Sequence, residues 1–365
     1  MKPRVLLLTR IPFWRMGAGE RTRVLALVWV LGAHCQLSLL YLGALHADEL
    51  NLLRRLRVQA AVYGIQGPVN EASEREALVR LCAAQDFDAC IFQRLALHGL
   101  REFLPAGVAA VLDTHDLESR AAESRRSQSV AVHTTLSFEQ EMALLSRYER
   151  VLLIQAEDHG LVQARLGEAA LLAPHPVQFA ALPLQAERRH LGLVGSDWAA
   201  NLHGLDWFAD RVWPLLEGQV EGLQMHLYGW LSERWRPEFK AFQRHGFVAD
   251  FKQAWAGMDV AINPVRWGAG LKIKSVEAMG HGLPLVSTAE GARGMLDGAG
   301  TAFLLADEPQ AFAEACQTLL LQPQQRAALG EAARRYTSTY FSAQACFGPL
   351  LRWLYERAQQ QKAKP

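Results

Sequence analysis

The sequence predicts an α/β protein of two Rossmann-like domains, each a doubly wound parallel sheet, followed by a helical C-terminal extension. Three observations predict it. Short apolar runs alternate with helix-length segments through the first half of the chain, the rhythm of βαβ units. A stretch at 172–187 with Pro174, Pro176 and Pro183 breaks that rhythm as a linker does, and the alternation then restarts. The length of 365 residues also exceeds one ordinary domain. The expected domains are 1–180, 181–340 and a terminal helix at 341–365 that crosses back to the first domain.

Strands are expected at 4–9, 37–42, 58–63, 88–92, 109–112 and 151–154, with helices at 20–31, 72–84, 136–147 and 157–166. The strand runs are apolar almost without alternation, as strands are when helices cover both faces of a sheet. After the linker, strands are expected at 191–194, 224–228, 260–262 and 283–286, with a helix at 201–216. From Pro309 the chain reads as helical, with separate segments at 324–340 and 343–358. No short repeat or low-complexity segment is present, so the duplication is one of fold type.

Composition bounds the function. Half the residues are hydrophobic and 21% are charged, the profile of a packed soluble protein. A net charge of +1 argues against a general nucleic-acid binder, which shows a basic excess. The five cysteines, Cys35, Cys82, Cys90, Cys316 and Cys346, form no C-x-x-C pair, so neither a disulfide framework nor a zinc site is indicated. A reducing cytoplasm fits them. The apolar run at 5–8 is too short for a signal peptide, and the run at 24–33 is too short to cross a bilayer, which takes about 20 residues. Arg21 and Arg23 precede the second run, so it reads as a buried helix or as an amphipathic helix on a surface.

The densest cluster of chemistry lies at 263–294. An apolar run enters a turn at Gly268-Ala269-Gly270, a helix carrying Lys272, Lys274 and Glu277 follows, and a second apolar run leads to Ser287 and Thr288. Small residues let a ligand approach the backbone closely. The amides of Ala269, Gly270 and Leu271, at a helix start with a positive dipole end, suit a diphosphate. Lys272 and Lys274 add charge where a phosphate gains it during bond cleavage. Glu277, three residues after Lys274, shares its helix face and can accept hydrogen bonds from ribose hydroxyls. Taken alone, the glycines fit a structural turn equally, and Lys274 and Glu277 fit a surface ion pair; the whole constellation points to a ligand.

Gly17-Ala18-Gly19 repeats that loop chemistry after the first strand. A dinucleotide fingerprint wants a third glycine three residues on, but Thr22 stands there, and Ile273 stands at the matching position of the second loop. Both loops therefore argue against a nicotinamide enzyme, and the Walker pattern is absent too. A structural turn explains Gly17–Gly19 as well as phosphate contact does. A third site is Asp113-Thr114-His115-Asp116, just after the fifth strand, where ligands of open α/β sheets bind. His115 can hydrogen-bond a polar substrate group, with Asp113 or Asp116 orienting it. A metal held by this trio lacks an evident fourth ligand. Arg94, Arg120, Arg125 and Arg126 suit solvated helix faces, an anionic acceptor or a membrane surface. Among the tryptophans, only Trp14 and Trp267 lie in the glycine loops, where ligand stacking is conceivable.

With these residues in hand, the chain resembles the family-4 retaining glycosyltransferases of the GT-B fold. The resemblance spans nearly the whole chain and is strongest at 191–294. The segment 195–214 resembles the opening of the family's donor domain, and G-F-V-A-D-F at 246–251 resembles its "G-x-V-x-D" stretch. The run 265–288 resembles the pattern "G-x-G-x-x-x-K-x-x-E-A-M-x-x-G-x-P-V-V". The resemblance implies two facing domains, the second holding a nucleotide-diphosphate sugar and the first its acceptor. It implies Glu277 on the ribose, Gly268, Ala269, Gly270 and Leu271 around the diphosphate, Lys274 neutralising it and His115 at the transferring sugar. Gly17, Ala18 and Gly19, with Asp116, would line the phosphate or acceptor side.

The resemblance further implies no metal and no cofactor beyond the nucleotide-sugar substrate. The acceptor would be a glycan, lipid-linked molecule or protein, not nucleic acid, and the location cytoplasmic, with peripheral contact at the inner membrane face. Three departures mark a divergent subgroup. Eight positions before Glu277, where many members carry a glutamate, this chain has Ala269. Where many have an Arg and a Lys after the strand at 191–195, it offers Ser196 and Asn201, leaving phosphate charge to Lys272, Lys274 or Arg266. The usual "P-N-G-V" becomes P-H-P-V at 174–177. A non-catalytic subunit of this fold, or a nucleotide-sugar epimerase or phosphorylase, is the alternative.

Overall fold

The computed structural model describes residues 2–15, 17–132, 134–177, 179, 188–236, 238–248 and 251–362. The chain forms two compact units. The first comprises Met1–Arg120, Thr134–His175 and Ala343–Pro365, the second Ala121–His133 and Pro176–Ser342.

The first unit is built on seven strands: β1 Arg4–Thr9, β2 Gln36–Tyr41, β3 Ala61–Gly64, β4 Ala89–Gln93, β5 Ala109–Asp113, β6 Arg150–Leu153 and β7 Ala170–Leu172. They pair in the order β3-β2-β1-β4-β5-β6-β7, every pair parallel. β4 and β5 are buried at every residue, which is why their runs read as continuously apolar. The core joins Leu6, Leu8, Leu40, Phe92, Leu112 and Leu153 to helix residues such as Leu78 and Met142. The helix Gly19–His34 buries Val24, Leu27, Val28 and Leu31. The C-terminal helix Ala343–Lys362 lies along it, with Tyr355 Oη donating to the His34 carbonyl at 2.7 Å.

The second unit carries β8 His190–Val194, β9 Gln224–Tyr228, β10 Gln243–Arg244, β11 Val260–Asn263, β12 Leu285–Ser287 and β13 Leu304–Leu305. Their order is β10-β9-β8-β11-β12-β13, again parallel throughout. Its core is separate and rich in aromatics, with Phe208, Trp213, Trp235, Phe242 and Phe312 packed around Leu191, Leu227 and Ile262.

Several expectations need correction. The strand expected from Val58 begins at Ala61, because Arg57 turns the chain through φ 54° after the helix Ala47–Arg55. Leu172 belongs to a strand rather than a linker, since 170–172 pairs with 151–153; residues 178 and 180–187 of that linker lie outside the described residues. The helix at 201–216 is three pieces, Ala199–Trp207, a wider π turn at Phe208–Val212 and Trp213–Leu216. The helix Glu118–Arg126 escapes a periodicity reading because it is polar almost all round, and Ala47–Arg55, though amphipathic, because it is only nine residues long.

Arg23, read only as preceding the apolar run, has a structural role of its own. It is fully buried and forks onto Asp113 at the end of β5, Nη2 to Oδ1 at 2.7 Å and Nε to both oxygens at 3.1 Å. Its Nη1 donates to the Ala173 carbonyl at 2.9 Å, and the guanidinium sits 5.8 Å over the Phe347 ring. Of the two readings of this helix the buried one holds, and its start is the internal tie between β5, the end of β7 and the C-terminal helix.

Candidate functional site

In the second unit β8 lies between β9 and β11, so the connections leaving β8 and β11 diverge and open a crevice at the strands' carboxyl ends. Ser196 follows β8 and the loop 264–272 follows β11, so topology alone brings the two predicted segments together. Gly268 and Gly270 have φ of 137° and 68°, angles that residues with a Cβ avoid. Close packing sets the third wall: a Cβ on Gly204 would stand 2.7 Å from the Pro264 carbonyl oxygen and 2.9 Å from Val265 Cα. Only glycine there lets the helix Ala199–Trp207, which carries Asn201, lie against the loop.

Several side chains stiffen the loop from within. Asn263 Nδ2 donates to Ser275 Oγ at 2.7 Å and to the Gly291 carbonyl at 2.9 Å, tying the end of β11 to the helix Ile273–Gly280. Thr288 Oγ1 donates to the Val265 carbonyl. Lys272 Nζ donates to the carbonyls of Ala269 and Gly270 at 3.0 and 3.1 Å and pairs with Glu290 at 3.3 Å. Lys272 therefore braces the loop and meets its carbonyl groups, where a free phosphate cation was expected. Arg266 is likewise engaged elsewhere: it is exposed, donates to the Asp307 carbonyl and lies 4.8 Å over the Trp207 ring.

What remains open has a consistent character. The backbone N–H groups of Ala269, Gly270 and Leu271 donate to no acceptor among the described residues, at the entry to an eight-residue helix. Gly268 differs: its N–H donates to Ser124 Oγ at 2.9 Å. Ser124 belongs to the 121–133 segment, which also places Arg125 5.0 Å over Trp198 and Val130 against Ala200, Val265 and Trp267. Ser124 lies 144 residues before Gly268, and no sequence signal pairs the two.

Lys274 and Glu277 both project from the helix Ile273–Gly280, and no ion pair joins them among the described residues. Lys274 Nζ donates to Asn201 Oδ1 at 2.7 Å, and Asn201 Nδ2 donates to the Ser196 carbonyl and Oγ at 3.0 and 3.3 Å. Three predicted residues thus form one chain of hydrogen bonds. Each of the two charged residues keeps an accessible flank, but the atoms crowded around their charged ends strip hydration from them. Burial, with the like charge of Lys272 adding to it, pushes the Lys274 ammonium down to about 7. Burial pushes the Glu277 carboxyl up to about 7. Among the described residues the charges of this site lack internal compensation and its amides lack acceptors, the two properties an anion with hydroxyl groups would satisfy.

The remaining predicted residues belong to the first unit. Gly17 has φ 109°, Ala18 caps the helix Gly19–His34, and the first-turn Glu20 pairs with Arg94 at 2.6 Å. His115 has φ 62°, a strained value for a non-glycine residue. It is buried, and its Nε2 donates to Gln93 Oε1 at 2.7 Å. Burial pushes its pKa down to about 3, so the ring is neutral at physiological pH and serves as a hydrogen-bonding group. Asp113 lies 3.8 Å from that nitrogen but is committed to Arg23, whose charge overcomes the effect of burial and holds the carboxyl below its usual range. Asp113 is therefore unavailable as a metal ligand, whereas Asp116 is half-buried beside His115.

The tryptophans divide contrary to expectation. Trp14 is buried edge-on against Phe13 and Tyr41, and Trp267 is buried against Ala200 and Val265, so both serve the core. Trp29, Trp198 and Trp230 are the exposed ones among the described residues, with Trp230 stacked on Phe247 at 5.5 Å. Gly246 of the G-F-V-A-D stretch donates its N–H to Ser232 Oγ at 2.9 Å, while Ala249 and Asp250 lie outside the described residues.

Residues 188–322 match the family model of glycosyl transferases group 1. No curated protein matches the sequence closely enough to count as a relative. Solved structures match over the whole chain. HepE of Anabaena, solved with UDP and glucose, superposes with a TM-score of 0.69 at 14% identity, covering 97% of this chain and 100% of that one. Sucrose-phosphate synthase from Thermosynechococcus elongatus gives 0.70 at 15% identity, with full coverage of both chains. A glycosyltransferase from Rickettsia africae gives 0.72 at 10% identity, covering 98% and 99%. At these identities the likeness establishes the fold, which is the GT-B fold that the sequence led us to expect. Among the described residues no helix is long and apolar enough to cross a membrane.

Proposed function

We propose that this chain, whose second unit matches the group 1 glycosyl transferases, is a retaining glycosyltransferase that moves a sugar from a nucleotide-diphosphate donor to a hydroxyl acceptor. The observation that carries the reading is the loop–helix unit at 268–277. Among the described residues its three amides meet no acceptor and its lysine no counter-ion, and both stand beside a carboxylate raised by burial. The donor's diphosphate would take the amides of Ala269, Gly270 and Leu271 and the ammonium of Lys274, and its ribose would take Glu277. As the glycosidic bond breaks, charge grows on the diphosphate oxygens, and fixed donors in a water-poor site stabilise it. The leaving phosphate can itself accept the proton of the attacking hydroxyl. The acceptor domain, expected as 1–180, is then the first unit without 121–133, the donor domain, expected as 181–340, is the second unit with 121–133, and Ala343–Pro365 returns to the first; His115 would meet the transferring sugar as a neutral ring.

A thermal-shift screen with the diphosphates of uridine, guanosine, adenosine and thymidine tests the donor site. Saturation at a hundred times Kd stabilises the fold by about 2.7 kcal/mol. A rise with one base names the donor class. No rise with any base favours a non-catalytic subunit, for which Ala269 in place of a sugar-contacting carboxylate is the specific argument. Consumption of a nucleotide-sugar without acceptor would favour an epimerase or phosphorylase instead.

Glu277→Gln is expected to raise the donor KM roughly tenfold or more while changing kcat less, because a carboxylate binds a ribose diol more strongly than an amide does. Steady-state kinetics against donor concentration read the split. An unchanged donor KM removes Glu277 from the ribose.

A further inference from the structure

Among the described residues Lys274 is held by a neutral acceptor and meets no counter-ion. Its Nζ donates to Asn201 Oδ1 at 2.7 Å. The orientation of Asn201 is fixed in turn, since its Nδ2 donates to the Ser196 carbonyl at 3.0 Å and Oγ at 3.3 Å. That leaves the amide oxygen to face the lysine. The close approach at Gly204 sets the distance between the helix bearing Asn201 and the loop after β11. The titratable and charged groups on the elements packed here are His203 and Asp206 on the helix bearing Asn201, Arg266, Lys272 and Glu277 on the loop and helix after β11, and Glu290; Asp206 pairs with Arg236 at 2.8 Å and Arg266 donates to the Asp307 carbonyl. Lys272 acts on Lys274 with like sign. Glu290 is engaged with Lys272 at 3.3 Å and with Arg293 at 2.6 Å. Glu277 forms no ion pair with Lys274 among the described residues. An aspartate has the same shape as Asn201 and would neutralise Lys274, yet the chain carries the amide.

We propose that Asn201 is a positioning residue that holds Lys274 through a neutral acceptor, so that its counter-charge comes from the bound diphosphate and diphosphate binding draws a proton onto Lys274. This deepens the donor-site reading and rests on its anion site. An amine crowded by protein atoms and a like charge gives up its proton readily, and a dianion beside it restores the ammonium. The proton passes from solvent to Nζ as the diphosphate binds and returns to solvent as it leaves. Binding at mildly alkaline pH is therefore linked to uptake of a proton.

Two measurements on the full chain decide it. Carbon NMR of lysine-labelled, ligand-free protein follows Lys274, assigned by its loss in Lys274→Arg. Wild type is expected to titrate near neutrality, and N201D about one pH unit or more higher, a tenfold gain in proton affinity. Calorimetry with UDP and with inorganic pyrophosphate at alkaline pH, in buffers of different ionisation enthalpy, counts protons. Wild type is expected to take up a proton on binding, and N201D to take up little. N201A, which loses the acceptor without adding charge, should bind pyrophosphate about tenfold more weakly while still taking up a proton; it also serves if N201D does not fold.

An unmoved Lys274 titration in N201D, no proton uptake by wild type on binding, or unchanged affinity in N201A overturns the proposal. If pyrophosphate binds with proton uptake but no nucleoside diphosphate binds, the sugar-transfer reading falls and this inference stands. If neither binds, both fall.

Discussion

Lys274→Ala is expected to lower turnover by at least tenfold, and by about a hundredfold if the lysine is the main cation meeting the leaving diphosphate, the range seen when one preorganised donor is removed from a developing charge. The reason lies in how the other cations are placed. Lys272 is engaged with two loop carbonyls and Glu290, and Arg266 with the Asp307 carbonyl. Neither can replace Lys274 without dismantling its own contacts. Product formation at saturating donor is the measurement, and near-normal turnover would take Lys274 out of the chemistry.

The same residues fix the sign of a pH profile. Lys274, pushed down to about 7, must keep its proton to meet phosphate. Glu277, pushed up to about 7, must lose its own to accept from ribose. In the free enzyme kcat/KM should therefore rise through about pH 7 as Glu277 ionises and fall above it as Lys274 deprotonates, a narrow bell. Glu277→Gln should remove the acid limb and leave the alkaline one. A flat profile between pH 6 and 8 would sink both assignments.

Arg23→Met is expected to destabilise the first unit by about 3–5 kcal/mol, because it leaves the Asp113 carboxylate buried with no cation. Asp113 is fully enclosed, and Arg23 supplies three of its contacts. For a unit of this size the loss corresponds to a fall of about 10 °C in melting temperature. The double variant Arg23→Met/Asp113→Asn removes the stranded charge and should recover part of that loss. A fall of less than 2 °C in the single variant would show that the pair is dispensable. Near-additive losses in the double variant would show that charge stranding is not the cause.

The loop at 268–271 and the pair Lys274/Glu277 were legible because their logic is local. Two glycines bracket a turn that demands positive φ, and the two charged residues fall on one helix face. The alternation of strands and helices was legible for a similar reason, since β4 and β5 are covered on both faces and leave no polar positions to blur their runs. The short strands β7, β10 and β13 were not, because a pairing of two or three residues leaves no periodicity to read.

Charge fate was the least legible property. Lys274 finds Asn201 across 73 residues, Arg23 finds Asp113 across 90, and Gly268 finds Ser124 across 144. By itself the sequence determined two doubly wound sheets, a glycine loop opening a helix, and a lysine and a carboxylate one turn apart on that helix. Only the tertiary structure decided which cations the fold consumes and which it leaves for a ligand. Hydrogen bonding and desolvation depend on distances through space and on what each group is buried among, and sequence separation encodes neither.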